Sequence, residues 1–246
     1  MNLYVILGWV IKMQDNTNYP RPQLRRNQYT ILDGYWDYGF SINPTIDDYD
    51  GKILVPYPPE SQKSGVERTL LPGNYLHYRR TFHTSIQSHQ RLLLHFEAVD
   101  EYCEVYLNGH FVGKHHGGYL PFSFAITDVI VEGENEIKVV VQDDTDYGNH
   151  ARGKQRLHHG GMYYTPVSGI WQTVWYEWVD EHYIKDVLFE PDLVKQGVYL
   201  EVSTTGNLEN VKVIIHRPDS HDITTFTIPV CKRAFIALKD IQLWTP

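Results

Sequence analysis

The sequence is short of several residue types, and each shortage excludes a class of protein. Only five of its 246 residues are alanine, the best helix former. The longest apolar run, Leu3–Ile11, has nine residues, far fewer than the roughly 20 that a membrane-spanning helix needs. Basic residues are outnumbered, with 22 Lys and Arg against 30 Asp and Glu and a formal net charge of −8. This balance argues against a nucleic-acid-binding protein, which would present a basic face.

Cysteine is scarce as well. Cys103 and Cys231 lie far apart in the sequence, so we expect no disulfide between them, and no permitted Asn-x-Ser/Thr glycosylation site is present. The run Leu3–Ile11 is not preceded by a basic segment or followed by a cleavage site, unlike a secretory signal. These features favour a cytoplasmic protein, with a periplasmic or secreted location as the alternative. Residues 1–27 have two interpretations, an N-terminal arm or an initiation site placed upstream of a true start at Met13.

Aromatic residues are abundant, and they favour strands. The chain has 18 Tyr, 9 Phe and 6 Trp, residue types enriched in β-sheets. Cys103, Val105 and Leu107 alternate with polar residues, which predicts a strand with one buried face. Asn108-Gly109 follows, a strong signal for a tight hairpin. We also predict strands over 91–99 and 170–179, and a turn at 132–135 leading into a strand over 136–142.

The second half continues the same pattern of short strands separated by turn residues. Spacings of about 8–12 residues are typical of an antiparallel β-sandwich. No helix of normal length is predicted. We therefore expect an all-β fold with two sandwich domains, at residues 28–180 and 181–246. The further predicted strands of the second domain are 197–205, 210–217, 224–230 and 233–238.

Two long segments without an obvious strand pattern interrupt this framework. They span residues 43–74 and 143–168. Loops longer than about 12–15 residues are uncommon inside a compact domain and are often binding or lid segments. The second segment is rich in polar and aromatic side chains, so it is the first place to look for a ligand site.

The residues that most often perform catalysis do not form a convincing motif. The acidic clusters Asp143-Asp144-Asp146 and Glu97-Asp100-Glu101 are interpreted as solvated or turn-capping groups rather than catalytic acids. The histidines at 115–116, 150 and 158–159 have no recognised ligand spacing around them. Ser168-Gly169 lacks the Gly-x-Ser-x-Gly elbow of a nucleophilic serine. We expect no catalytic residue, no metal ligand and no cofactor in this chain.

The second long segment does suit a carbohydrate. Tyr rings stack on the apolar faces of sugar rings, while charged side chains form hydrogen bonds with sugar hydroxyls. Tyr163 and Tyr164 supply the first kind of group, and Asp144, Arg152 and Lys154 supply the second. Buried and surface tyrosines explain most of the aromatic content, however, so composition alone leaves the ligand open.

Five motifs occur in a familiar order and resemble the N-terminal jelly-roll domain of glycoside hydrolase family 2, which contains β-galactosidases and β-glucuronidases. The resemblance spans Leu32–Val179, and residues 183–246 resemble the immunoglobulin-like domain that follows in that family. Leu243-Trp244-Thr245-Pro246 is similar to the family's exit segment. The five motifs are LDGYW at 32–36, VPYPPE at 55–60, YRRTF at 78–82 followed by the stretch from Leu92 to Thr127 that contains LNGHFVGKHHGGYLPF, GENEIKVVV at 133–141 and YTPVSGIWQTVWYEWV at 164–179.

The resemblance implies retaining hydrolysis of O-glycosidic bonds by two glutamates. In the family these lie in a third domain, a (β/α)₈ barrel of about 250 residues, and only residues 180–246 follow the jelly-roll here. We therefore expect a non-catalytic N-terminal part of such an enzyme, whose partner is the missing barrel. The alternative is a stand-alone, lectin-like carbohydrate-binding protein. Because surfaces that pack on the barrel in the family would be exposed, we also expect homo-oligomers or other self-association.

The resemblance also indicates which residues would meet the sugar, because loops of the family's jelly-roll reach over the barrel mouth. Several members place an aspartate five residues before a Ser/Ala-Gly-Ile step, and Tyr163 stands there in this chain. That departure argues against carrying over a preference for galactose or glucuronate. Asn74 is near the position of the other pocket loop. The predicted substrate-binding residues are Asn74, Asp144, Arg152, Lys154, Tyr163 and Tyr164.

Overall fold

The computed structural model describes residues 4–7, 19–216, 223–239 and 241. The chain divides into two compact units, residues 26–179 and residues 1–25 together with 180–246. Within the described ranges, the only helical elements are two 3-10 turns at Pro22–Leu24 and Gln62–Ser64. The predicted all-β fold is confirmed.

The larger unit is a β-sandwich. Its strands are β2 (Tyr29–Ile31), β3 (Gly34–Ser41), β4 (Gly51–Val55), β5 (Tyr75–Thr84), β6 (Gln90–Phe96), β7 (Val99–Asp100), β8 (Tyr102–Leu107), β9 (His110–His116), β10 (Phe122–Ala125), β11 (Gly133–Gln142), β12 (Gly169–Ile170) and β13 (Val174–Asp180). β1 (Tyr4–Leu7) belongs to the other unit. One sheet of the sandwich has four strands in the order β10-β6-β13-β2, the other has six in the order β4-β3-β5-β11-β8-β9, and β12 and β7 form a short pair.

Alternation of apolar side chains builds the core between the two sheets. In β8, Cys103, Val105 and Leu107 are fully buried, as the sequence pattern predicts. The same cluster takes alternate residues of β6 and β13, in the opposite sheet. Phe82 of β5 lies 5.2 Å from Tyr176 of β13, measured between ring centroids, so the two sheets are in direct contact. Burial of this alternating set is the main stabilising contribution.

Several predicted boundaries need correction. The predicted strand 170–179 is interrupted at residues 171–173, where the carboxylate of Asp33 accepts hydrogen bonds from the Thr173 hydroxyl and the Val174 amide. The predicted strand 91–99 likewise divides into β6 and β7. The predicted turn at 132–135 was wrong in part, because β11 already begins at Gly133, where it pairs with Thr84 of β5.

The hairpin predicted at Asn108-Gly109 is present. Both residues have positive φ, 51° and 80°, as a tight two-residue turn requires. The Asn108 side chain also forms a 2.8 Å hydrogen bond with the Asn135 side chain at the start of β11. This amide pair joins two turns that are separated in sequence.

The smaller unit contains two three-stranded sheets. Besides β1, its strands are β14 (Ile184–Asp192), β15 (Gly197–Thr204), β16 (Asn210–His216), β17 (Ile223–Pro229) and β18 (Ala234–Ala237). One sheet has the order β14-β15-β18, and in the other β1 pairs in parallel with β16, which pairs with β17. The core of this unit includes Val198, Leu200 and Val213. Met13 and Leu243–Pro246, which enter the sequence predictions, lie outside the described residues.

The two cysteines differ in environment. Both are free thiols, with Cys103 buried in the sandwich core and Cys231 exposed on the smaller unit. Burial raises the pKa of Cys103 to about 12.

Candidate functional site

The two long segments differ in how regular they are. The first, residues 43–74, contains β4 and the 3-10 turn Gln62–Ser64, so the prediction of an irregular segment there was wrong in part. β4 forms because residues 51–55 pair with β3 and bury Ile53 and Val55. The second, residues 143–168, has no named strand or helix and only isolated bridges, Gln155 with Tyr164 and Gly160 with Tyr163. We call residues 143–168 the long loop.

The long loop is held at both ends by one carboxylate. Asp143, which is 3% exposed, accepts a hydrogen bond of 2.7 Å from the Ser168 hydroxyl and one of 2.6 Å from the Thr145 amide. Ser168 in turn donates its backbone amide to the Glu60 carboxylate at 3.2 Å. Glu60 also accepts a hydrogen bond from the Leu70 amide. The two long segments therefore meet at this point.

Strand pairing brings further carboxylates to the same place. Gln142, the last residue of β11, pairs with Tyr102, the first residue of β8, so Asp143 follows one strand end where Glu101 precedes the other. Asp100 pairs with Gly169 through β7 and β12. We call Glu60, Asp100, Glu101 and Asp143 the carboxylate cluster. Its members come from the two acidic stretches that sequence analysis treated separately, plus Glu60, which it did not single out.

Burial makes this cluster electrostatically unusual. It raises the pKa of Asp100 to about 7, with the charge of Asp143 adding to the effect and a hydrogen bond from Gln155 opposing it. Burial also raises the pKa of Glu60 to about 7, against the amide hydrogen bonds that favour its charged form. The pKa values of Glu101 and Asp143 are raised for the same reason. Carboxylates crowded away from water disfavour ionisation of one another.

A histidine of the long loop joins the cluster. His150 Nδ1 lies 2.9 Å from Glu101 Oε2, and His150 Nε2 lies 2.8 Å from the carbonyl oxygen of Thr145. Glu101, Asp143 and His150 each offer one potential ligand atom, and these atoms lie within 4.8 Å of one another. Among the described residues, this is the group that could hold a metal ion. His116 is more distant, with Nε2 3.7 Å from Glu101 Oε1.

The predicted sugar-binding tyrosines lie near the C-terminal end of the long loop, where Gly160 and Tyr163 form an isolated bridge. The Tyr164 side chain is 67% exposed, while its backbone forms hydrogen bonds with Lys154 and Arg156. The Arg156 guanidinium lies 3.7 Å from the centroid of the Tyr163 ring, a cation–π contact. Of these two tyrosines, Tyr164 therefore has an exposed ring, whereas Arg156 covers one face of the Tyr163 ring.

The other predicted site residues are more dispersed. Lys154 and Asp144 are exposed, and Arg152 donates a hydrogen bond to the Gly148 carbonyl within the loop. Asp144 lines a depression of about 400 Å³ together with Glu101, Glu104 and His116. Asn74 lies at the end of a turn in which its backbone amide donates a hydrogen bond to the Leu71 carbonyl. Among the predicted residues, only Lys154 and Tyr164 are joined directly, by the hydrogen bond from the Tyr164 amide to the Lys154 carbonyl.

An aromatic pair beside the loop was not predicted. Tyr119 and Trp171 have ring centroids 6.2 Å apart in an edge-to-face arrangement. Trp171 donates a hydrogen bond to the Gly118 carbonyl, and Gln155 of the long loop donates one to the Tyr119 hydroxyl. These contacts position the loop against the segment that follows β9. The available signal was Tyr119 itself, within the family motif HGGYLP at 116–121.

Comparison with known proteins identifies what this arrangement is similar to. Residues 71–199 match the family model described as glycosyl hydrolase 2 galactose-binding domain-like. A β-galactosidase of Thermoanaerobacter pseudethanolicus is 34% identical over 124 residues, which are 50% of this chain and 16% of that protein. A β-galactosidase of Actinobacillus pleuropneumoniae is 23% identical over 253 residues, covering 94% of this chain and 24% of that protein.

Solved structures agree on the fold. The β-glucuronidase of Bifidobacterium dentium complexed with coumarin-3-O-glucuronide has a TM-score of 0.70 at 21% identity, over 90% of this chain and 44% of that one. A β-glucuronidase of an uncultured Clostridium has a TM-score of 0.65 at 23% identity. The chain thus spans about a sixth to a quarter of the length of the curated relatives it matches. No helix among the described residues is long and apolar enough to cross a membrane.

Proposed function

Because the chain belongs to glycoside hydrolase family 2, we propose that it is the non-catalytic, sugar-contacting part of a retaining β-glycosidase and acts together with a catalytic barrel. The chain matches the N-terminal region of the family, and the relatives it matches are named β-galactosidases and β-glucuronidases. The described residues form two β-rich units without an α-helix, so none of them contributes to a (β/α)₈ barrel. The proposed substrates are β-glycosides.

The observation that carries this proposal is the attachment of the long loop to the sandwich. Its ends are joined through Asp143 and Ser168, and its middle contacts Tyr119 through Gln155. A loop fixed at three points can hold its side chains in one position, which reduces the entropy lost on binding. The loop carries Tyr164, which is 67% exposed. We propose that Tyr164 stacks on the sugar and that its neighbours contact the sugar hydroxyls, namely Asn74, Asp144, Arg152, Lys154 and Tyr163.

Exposed apolar side chains in the long loop and next to Tyr119 support the proposal that a partner domain covers this surface. Leu120, Tyr147 and Met162 are each more than half exposed. Contiguous apolar exposure is typical of surfaces that another protein covers, and we propose that these three side chains belong to such a surface. We propose that the catalytic barrel covers this region, and that the chain alone self-associates through it.

A chimeric enzyme tests the proposal. The Actinobacillus β-galactosidase, with its aligned N-terminal region replaced by this chain, is assayed on aryl β-galactosides and β-glucuronides. We expect turnover by the chimera and none by the chain alone. Tyr164→Ala should raise KM about tenfold, because losing one aromatic contact costs on the order of 1 kcal/mol or more.

The matched control is Tyr35→Ala, which removes an equally exposed tyrosine from β3. It should leave KM unchanged. If Tyr164→Ala and Tyr35→Ala behave alike, Tyr164 does not contact the substrate. If the chain alone binds galactosides or glucuronides at millimolar concentration by calorimetry and the chimera has no activity, the stand-alone carbohydrate-binding function is correct instead.

A further inference from the structure

A histidine and two buried carboxylates converge where β8 begins and β11 ends. Glu101 precedes β8, Asp143 follows β11, and His150 lies seven residues further along the long loop. The three ligand atoms lie within 4.8 Å of one another. These residues have no recognised ligand spacing, so the sequence alone predicts no metal site. Antiparallel pairing of Gln142 with Tyr102 creates the convergence, which spacing along the chain cannot reveal.

The geometry of His150 is that of a metal ligand. Its Nε2–H donates a hydrogen bond to the Thr145 carbonyl oxygen at 2.8 Å, and this leaves Nδ1 directed at Glu101. Histidine ligands characteristically donate the proton of their second nitrogen to a backbone carbonyl or a carboxylate in this way. Asp143 is oriented comparably, by the Ser168 hydroxyl and the Thr145 amide.

Unpaired polar atoms at the same place point to a missing ligand. Glu101, 8% exposed, has a buried Oε2 atom that forms no hydrogen bond, although it lies 2.9 Å from His150 Nδ1. The hydroxyl of Thr145, which is 2% exposed, and Oδ1 of Asp146 are also buried without a hydrogen-bond partner. A buried oxygen without a partner is costly, and its usual explanation is a bound water or ion.

We propose that Glu101, Asp143 and His150 bind a divalent transition-metal ion of the zinc class, which fastens the long loop to the sandwich. One imidazole nitrogen with two carboxylates suits zinc, whereas calcium and magnesium prefer oxygen ligands alone. At metal–ligand distances of about 2.0–2.2 Å, tetrahedral ligand atoms lie roughly 3.4 Å apart. The ion would therefore widen the contact between Glu101 and His150 by about half an ångström.

The site has an entrance and a function in the fold. The depression of about 400 Å³ that Glu101 lines also carries Glu104, Asp144 and His116, an acidic surface that attracts cations. The ion would join the start of the long loop to the start of β8. This inference does not depend on the proposed sugar binding, because its test measures metal.

Zinc titration of the full chain tests the inference. The protein, freed of any affinity tag and stripped with a chelator, is titrated with ZnCl₂ by calorimetry, and bound metal is counted by mass spectrometry. We expect one Zn²⁺ per chain, with proton release because the ligands must be deprotonated. His150→Ala and Glu101→Gln should each weaken binding at least tenfold. Glu101→Gln keeps the side-chain volume, so it remains informative if His150→Ala folds poorly.

The matched control is His159→Ala, an exposed histidine of the same loop outside the group. It should bind zinc like the parent chain, which separates the site from adventitious binding by the histidines other than His150. Trypsin gives a structural readout, because Arg152, Lys154 and Arg156 are cleavage points within the loop. Zinc should slow their cleavage at least tenfold in the parent chain and in His159→Ala, and not in His150→Ala. The inference would be overturned by the absence of stoichiometric zinc, by unchanged binding in His150→Ala and Glu101→Gln, or by equal affinity for Ca²⁺. His150 and Glu101 would then form only an ion pair.

Discussion

The hydroxyl of Ser168 donates a 2.7 Å hydrogen bond to the carboxylate of Asp143, and these are the two residues at which the long loop begins and ends. The 24 residues between them, 144–167, therefore leave the sandwich and return to it at two points that one hydrogen bond joins.

Ser168→Ala should destabilise the larger unit by about 1–3 kcal/mol. The substitution removes the hydroxyl donor and leaves a buried carboxylate short of one partner, which costs the desolvation of that group. Thermal and urea unfolding, followed by tryptophan fluorescence, measure the effect. Ser123→Ala, at an exposed position of β10, should change stability by less than about 0.5 kcal/mol. Equal effects in the two variants would show that the hydrogen bond to Asp143 contributes nothing.

Asp100 and Glu60 should each contribute a loss of stability to metal-free protein as the pH rises from about 4 to about 7. The folded chain holds protons on Asp100 and Glu60 up to about pH 7, whereas the unfolded chain releases them near the ordinary pKa values of 3.8 and 4.5. The folded state therefore binds more protons than the unfolded state in this range. The stabilisation that these two groups contribute is complete below the range and lost above it.

Asp100→Asn isolates one of these groups. It should flatten that pH dependence and stabilise the protein at pH 8, because no charge then has to be buried. Asp128→Asn, at an exposed position, is the matched control and should keep the parent profile. Chemical unfolding at pH 5 and pH 8 supplies the measurement. A parallel profile for Asp100→Asn would mean that Asp100 is ionised in the folded protein without penalty.

Gly169→Ala should be more damaging than an ordinary glycine substitution. Gly169 has φ +72°, and a Cβ there would collide with the Tyr78 hydroxyl inside the core. Gly73→Ala is the matched control, because Gly73 has φ +78° and open space around it. The control should lose about 1–2 kcal/mol for left-handed backbone, and Gly169→Ala at least about 2 kcal/mol more for overpacking. Unfolding midpoints of the two variants give the difference, and equal losses would contradict the steric argument.

Asn135→Asp should destabilise the protein although the side chain keeps its shape. The Asn135 amide donates to the carbonyl oxygens of Val131 and Gly133, and its oxygen accepts from the Val131 amide and from Asn108. Aspartate has no donor, so it would set a buried negative charge against two carbonyl oxygens. We expect a loss of about 2–4 kcal/mol. Asn149→Asp, in an exposed part of the long loop, should have little effect in the same unfolding assay.

Local features were predictable from the sequence. Alternation at Cys103, Val105 and Leu107 predicts a half-buried strand because side chains point to opposite faces in turn. Asn108-Gly109 predicts its turn because both residues accept positive φ. The long loop was recognised as a candidate binding segment from its length and its polar and aromatic content. These signals lie within a few residues of one another.

Contacts between distant residues were not predictable. Asp100, Glu101 and Asp143 appear as two unrelated acidic stretches until the register of β8 and β11 is known. Glu60 joins them only through the Ser168 amide, 108 residues away. The break at residues 171–173 also depends on a distant residue, Asp33, which binds the amide that follows it. Strand register and long-range hydrogen bonds decide these features, and one sequence does not specify them.

The difference between the two cysteines makes the chain easy to label at one point. Thiolates rather than thiols react with maleimides and iodoacetamides, so Cys103, buried and with its pKa raised to about 12, stays inert at neutral pH. Cys231 is exposed in the turn that follows β17. The unmodified sequence can therefore carry a single dye or spin probe on its smaller unit, without removing or adding a cysteine.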